Sequence, residues 1–341
     1  MRPYRLFWSL LTASAALALL VAVVFVPAGR SGPKAPRGPA RATLPGGAAH
    51  RTRTGSTVRA RAFAGNQRSF VSAAGNDANT CGPTTPCRTF ANAISKTASS
   101  GEVVAVDTAG YGSFVVDRAL TVMAAPGVQA FVAAPAGVAI EVNPGPTATV
   151  VLQNLVVKNT GAASSGVQYE SGDKLDIDRL TVTGFGIGID AVPVSDVGAH
   201  QLAVTNTTLR RNSTGLSEAG VDPAPTLFVN IDHTRALDSG NIGIASAGHV
   251  EVTISDSVID GNTTGVSGES EALIVVSRTE IAHNFMGVQT LHIPTRGVRL
   301  SDSTITGNTI GVNGPLIASR GNNTLLENTS DGTFSSTFAA R

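Results

Sequence analysis

The sequence predicts an all-β fold, a parallel β-helix in which three short strands form each coil of about 22–28 residues. Two observations predict it. Glycine followed by an aliphatic residue recurs at spacings of 22, 27, 28, 22, 22 and 24 residues, at Gly166, Gly188, Gly215, Gly243, Gly265, Gly287 and Gly311. Aliphatic residues also stand at fixed distances before these glycines. Repeats of this length typify solenoids, whose units bury their apolar faces against one another.

The fixed distances define the strands of each coil. The aliphatic positions are thirteen, eleven and six residues before the glycine, as at Leu175, Ile177 and Val182, and alternation with polar residues indicates strands. The unit ending at Gly243 carries one extra residue, so Val229 and Ile231 are expected in its first strand, with Leu237 in its second.

Asparagine occupies one corner of the predicted coil. It stands three residues before four of the glycines, at Asn212, Asn262, Asn284 and Asn308. Asparagine tolerates tight corners, and stacked amides can bond one another along the axis. Leucine-rich repeats would need regular leucines and an outer helix, and propeller blades would need four strands, so both are disfavoured.

Solenoid ends need caps, because an open sheet edge is a template for aggregation. Near-helical spacing of Phe90, Ala91, Ile94 and Ala98 predicts a capping helix at about 89–99, followed by a strand at 102–106. The tail, residues 322–341, is expected to close the other end.

Three segments are predicted, with boundaries at residues 28 and 67. Residues 1–28 form a signal peptide or signal anchor, because the apolar run 6–28 is long enough to span a bilayer. Residues 29–67 form a disordered linker rich in Pro, Gly, Ala and Arg, read as a solvated spacer or as a basic tether to an anionic surface. Residues 68–341 form the β-helix.

Charge is distributed unevenly between these segments. Of the 25 Lys and Arg residues, 11 lie within residues 1–68, which hold no Asp or Glu, so the other 14 share the body with all 24 acidic residues. The basic segment has no interleaved aromatic residues, so no nucleic-acid partner is expected. A membrane is expected only at residues 6–28.

Two cysteines, Cys81 and Cys87, bracket a short loop with two prolines. In an exported chain this pattern favours a disulfide over two free thiols, and two ligands alone make a poor zinc site. The predicted location is extracytoplasmic, either secreted or anchored by the N-terminal segment.

The block at residues 70–112, with its cysteine loop and helix-forming stretch, resembles the start of secreted bacterial right-handed parallel β-helix proteins. The repeats resemble the pectate-lyase-like superfamily, and together the two regions cover about residues 68–341. This resemblance implies a right-handed helix and a carbohydrate cleft on one outer face. The superfamily includes lyases, hydrolases, tailspikes and adhesins, and its most similar group has no assigned function, so the resemblance does not define an activity.

Candidate catalytic residues lie at outward positions of the first strand: Lys174, Asp176 and Asp178 in one coil, and Asp232 two coils later. In a lyase the acids would hold Ca²⁺ against a uronate while Lys174 took the proton. In an inverting hydrolase two of the carboxylates would act together. Outward strand residues are also polar simply for solubility, and no lyase arginine signature is recognisable.

A second polar row stands nine residues before the glycines and includes Asp256, Arg278 and Asp302, with His233 in the shifted coil. Alternating signs indicate an ion-pair ladder, and scattered histidines give no reason to expect a metal or other cofactor. The sequence thus favours a non-catalytic exported β-helix, either an adhesin-like binder of polysaccharide or envelope components or a structural scaffold. The alternative is a polysaccharide lyase or glycoside hydrolase, for which alone Ca²⁺ is expected.

Overall fold

A computed structural model describes residues 65–193, 198–220, 227–292 and 296–339. The described chain is a parallel β-helix, as predicted. The leader and most of the linker lie outside the described residues, so the boundary at residue 28 stays a prediction. The first strand begins at Asn66, two residues before the predicted start of the body.

One face of the helix is a continuous 12-stranded parallel sheet, here called the first sheet. Each coil contributes one strand, paired in register with the strands of the coils before and after it. Its strands are Asn66–Val71, Thr97–Ala105, Leu120–Ala124, Thr149–Gln153, Lys174–Asp178, His200–Thr205, Leu227–Asp232, Val250–Ser255, Leu273–Ser277, Gly297–Ser301, Ile317–Ser319 and Ser336–Thr337.

Two further series of parallel strands complete the coils. The second series has Ala109–Gly110, Thr181–Thr183, Thr208–Arg210, Arg235–Leu237, Val258–Asp260, Glu280–Ala282, Thr304–Thr306 and Thr324–Leu326. The third has Phe114–Val116, Ile187–Ala191, Thr214–Gly220, Ile242–Gly248, Thr264–Glu269, Met286–Leu291 and Ile310–Asn313. Two longer strands, Ala130–Val142 and Leu155–Tyr169, run through the corner and belong to both series. Their lengths of 13 and 15 residues exceed those of the short strands that the repeat predicts.

The predicted aliphatic columns form the core, with one correction. Leu175, Leu202, Val229 and Val252 stack in register in the first sheet, and all four are buried. In the second series, however, Leu209 pairs with Ala236, and Leu237 is only half-buried. The prediction for Leu237 was wrong because the extra residue of this unit lies after the second strand, so the second strand is shifted as well.

The recurring glycines are explained by close stacking of the coils. A Cβ atom added at Gly215 would lie 2.4 Å from the carbonyl oxygen of Gly243 in the next coil. The same clash arises at Gly188 against Gly215. Only glycine lets the backbones approach so closely at this point of the coil.

The capping helix is present but shorter than predicted. It spans Phe90–Lys96, with the Thr89 side chain accepting a hydrogen bond from the Asn92 amide at its N-terminus. Ala93, and not Ala91, is buried beside Phe90 and Ile94. The helix ends early because residues from Thr97 onward join the first sheet.

Two internal ladders hold the corners. The predicted asparagine ladder is present from Asn262 through Asn284 to Asn308 and continues to Asn328, each side-chain amide donating to the next at 2.9–3.1 Å. The inclusion of Asn212 was wrong, because Ser239 occupies this position in the intervening coil and the Asn212 side chain donates to the Val182 carbonyl instead. Asp331 accepts from Asn328 at 2.8 Å and ends the ladder. Sequence reasoning missed a second ladder of buried hydroxyl residues, eight residues before most of the glycines: Thr207, Thr234, Ser257, Thr279 and Ser303.

The tail contributes strands at the C-terminal end, as expected. Thr324–Leu326 pairs with Thr304–Thr306, and Ser336–Thr337 is the last strand of the first sheet. Phe334 packs against the core.

Among the described residues, no helix has both the length and the apolar character needed to cross a bilayer. The apolar run 6–28 lies outside the described residues.

The predicted disulfide between Cys81 and Cys87 is present, and both residues are fully buried. The loop that it closes is bonded to the first strand, since the Phe70 amide donates to Cys81 and the Cys87 amide donates to Phe70. The disulfide therefore fixes the loop that leads into the capping helix.

We expect that denatured protein alkylated without reductant carries no label on either cysteine, because both sulfurs are already bonded. Intact mass measures the result, and the same sample reduced first should carry two labels. Two labels without reduction would show that the pair is not oxidised and would remove the main structural support for export.

Candidate functional site

The predicted outward residues of the first sheet lie where the sequence placed them. Lys174 is beside Gln201, then Phe228, then Glu251 on successive strands. Two further columns run alongside: Asp176, Ala203, Asn230 and Thr253, and Asp178, Thr205, Asp232 and Ser255. Adjacent strands lie about 4.8 Å apart, so the backbone positions of Asp178 and Asp232, two strands apart, are about 10 Å from each other.

Lys174 and Asp176, two of the four candidate catalytic residues, form an ion pair with 2.9 Å between Nζ and Oδ1. Both side chains are about one-third exposed. The Nζ of Lys174 is therefore engaged by the Asp176 carboxylate and is not a free group directed at a substrate.

The Asp178 carboxylate is bound by side chains from three successive coils. Gln153 and Asn206 donate to its oxygens at 2.9 Å, and the Arg179 guanidinium lies 3.0 Å away. Partial burial raises the pKa of Asp178, but these hydrogen bonds and the charge of Arg179 outweigh it and leave the pKa below its ordinary value. Asp178 is therefore an ionised, structurally engaged carboxylate.

Asp232 belongs to a small polar cluster at the corner that follows the strands of the first sheet. Ser255 donates to one of its oxygens at 2.6 Å, and Nδ1 of His233 lies 2.7 Å from the other. The Ser255 and His233 contacts lower the pKa of Asp232 below its usual value. The four candidate catalytic residues thus lie on one face, with Asp232 two coils from the other three; whether they catalyse a reaction stays a prediction.

Ligand atoms of Asp232, His233 and Asp256 lie within 4.8 Å of one another and could contact one metal ion. Asp256, however, already accepts two hydrogen bonds from Arg278, at 2.6 and 2.8 Å. A cation here would have to compete with that guanidinium.

The corner residues share a backbone conformation that the sequence did not reveal. Arg179, Asn206, His233, Asp256, Arg278 and Asp302 all have φ between 46° and 55°. The predicted ion-pair ladder is only partly formed. Arg278 bonds Asp256, whereas Asp302 accepts a 2.7 Å hydrogen bond from Asn322.

A groove on the outer face of the first sheet is the candidate ligand-binding surface. It has a volume of about 380 Å³ and is lined by Lys174, Gln201, Phe228, Asn230, Glu251 and Thr253. Phe228 is 43% exposed, which is unusual for so large an apolar side chain on a solvated sheet. The small Ala203 faces outward beside Phe228 and Asn230. We call this the Phe228 groove.

A buried acid lies in the third series. Glu218 is 1% exposed, and one of its oxygens accepts a 3.1 Å hydrogen bond from Ser246, while the other has no hydrogen-bond partner among the described residues. Burial raises the pKa of Glu218 well above its ordinary value. Glu218 lies outside the Phe228 groove, and burial of its carboxyl group costs stability.

We expect Glu218→Gln to raise the free energy of unfolding by about 1–3 kcal/mol more at pH 8 than at pH 4. The reason is that the neutral amide removes the cost of burying a carboxyl group that would be ionised at pH 8 in the unfolded chain. The folded state binds more protons than the unfolded state between the two pKa values, so wild-type stability falls as pH rises through this window. Denaturant unfolding at both pH values measures the effect, with Glu280→Gln as the exposed control. An equal effect at both pH values would contradict the assignment.

The fold has a counterpart of known structure. The crystal structure of pectate lyase Pel9A superposes with a TM-score of 0.60 at 14% identity, covering 81% of this chain and 79% of that chain. This likeness shows the pectate-lyase-like β-helix fold, as the sequence resemblance implied, and no more than the fold. No family model matches the chain, and neither does any curated protein.

Proposed function

We propose that this protein is an exported β-helix that binds polysaccharide along the outer face of its first sheet without cleaving it. The observation that carries the proposal is the Phe228 groove. An exposed ring supplies an apolar platform for a sugar ring, and the surrounding amides and hydroxyl supply orienting hydrogen bonds. Pel9A, which shares the fold, is a pectate lyase.

The state of the candidate acids supports binding over catalysis. Lys174 is paired with Asp176, and Asp178 is held by Gln153 and Asn206. A general base must be free to accept a proton near the reacting bond. The alternative, a lyase or hydrolase that uses Lys174, Asp176, Asp178 and Asp232, would require these contacts to break when substrate binds.

The disulfide supports export, because such bonds persist in oxidising compartments. The leader at residues 1–28 would supply the route, and its retention would keep the body at the membrane surface.

The test is binding of immobilised polysaccharides by purified protein and by Phe228→Ala. We expect the variant to lose at least tenfold in affinity for the polysaccharide that wild type binds, with an unchanged thermal midpoint because the ring is exposed. Phe285→Ala is the matched control, since Phe285 is 53% exposed and is absent from the groove lining. Equal losses in both variants, or none in Phe228→Ala, would refute the assignment.

A further inference from the structure

A second cleft lies further along the same face, toward the C-terminus. It has a volume of about 890 Å³, and its lining includes Arg296, Arg299 and Arg320 together with Val275, Ala318 and Phe338. We call it the arginine cleft. Three arginines meet here although the body as a whole carries more acids than bases.

The arginines are not fully neutralised by their neighbours. Arg296 bonds Glu251 at 2.6 Å, and Arg320 lies 3.8 Å from Asp302. Arg299 is exposed and forms no ion pair with the residues that the structure describes. The cleft therefore has a net positive charge, with one guanidinium available for a ligand.

The arginine cleft and the Phe228 groove are neighbours. Glu251 lines the groove and its partner Arg296 lines the cleft, so one ion pair connects them. Arg299 lies in the same column as Asn230, three strands further on, which places the two about 14 Å apart. An extended ligand seated on Phe228 and running along the axis would reach Arg299.

We propose that the arginine cleft is an anion-binding subsite that holds carboxylate or sulfate groups of the polysaccharide seated on Phe228. Guanidinium groups match these anions in geometry, because their N–H groups donate two parallel hydrogen bonds. Linking two weak subsites through one polymer raises the overall affinity, since the second contact is made at high effective concentration. The inference rests on the proposed function and adds the charge and minimum length of the ligand.

The experiment compares polygalacturonate with its methyl ester, which has the same backbone without charge. Wild type should bind the acid at least tenfold more tightly at low salt, and the preference should shrink at high salt. Arg299→Ala should lose most of the preference while binding of the ester is unchanged. Arg235→Ala, an exposed arginine on another series of strands, should behave as wild type.

Further arms separate the possible ligands and failures. Chondroitin compared with chondroitin sulfate distinguishes carboxylate from sulfate as the bound group. Phe228-dependent binding without preference for the acid, or a preference kept in Arg299→Ala, would overturn the subsite alone. If wild type binds none of these four polysaccharides, the proposed function is overturned as well. Tighter binding of polyglutamate that depends on Arg299 but not on Phe228 would reassign the cleft to an acidic polypeptide.

Discussion

Ile259→Asp should destabilise the solenoid by more than about 4 kcal/mol, because an unpaired carboxylate would enter an aliphatic column. Ile259 is fully buried and stacks between Ala236 and Ile281 of the adjacent coils. Coils contact mainly their neighbours, so the damage should begin in this coil and spread outward. Denaturant unfolding gives the loss, and hydrogen exchange locates it.

The matched control is Val258→Asp in the same strand. Val258 is half-exposed on the opposite side of the strand, so its carboxylate would remain in water. We expect a loss of less than about 1 kcal/mol. Equal effects at both positions would show that this strand does not bury Ile259 as described.

Asn284→Ala should cost about 2–3 kcal/mol, because several buried polar groups would lose their partners together. The Asn284 side chain donates to Ile259 and Ala282 carbonyls and to Asn308, and it accepts from the backbone and side chain of Asn262. The change in unfolding free energy measures this contribution.

Asn313→Ala is the control for this position, because Asn313 is exposed and, within the part of the chain that the structure describes, its side chain forms one hydrogen bond, to the Met286 sulfur at 3.8 Å. We expect it to be nearly neutral. A neutral Asn284→Ala would mean that the ladder adds no stability and that asparagine is retained there only for its corner conformation.

The register of the coils could be predicted because strands alternate strictly between core and solvent. Periodic aliphatic residues therefore fixed the outward positions Lys174, Asp176, Asp178 and Asp232 as well. Leu237 failed because a single insertion can be placed before or after a strand, and the pattern of apolar residues does not distinguish the two. The prediction extended the capping helix too far. The sequence around Thr97 carries no signal that ends a helix, and the pairing of Thr97 with the first sheet decides the conformation of this residue.

The functional surface was less visible in the sequence. Phe228 was one outward residue among many, and only the groove beside Ala203 and Asn230 shows that its ring is accessible. The arginine cleft gathers Arg296, Arg299 and Arg320 from successive coils near the end of the repeats. The pairing of Lys174 with Asp176 depends on side-chain geometry, which periodicity does not specify.

Whether the protein binds polysaccharide without cleaving it can be measured in one experiment. The protein would be incubated with polygalacturonate, with and without Ca²⁺, while retention of polymer, reducing ends and the ultraviolet absorbance of unsaturated ends are followed together. We predict retention that depends on Phe228, with no new ends of either kind. Release of unsaturated or reducing ends that is lost in Lys174→Ala or Asp178→Ala would contradict the account and establish the lyase or hydrolase alternative.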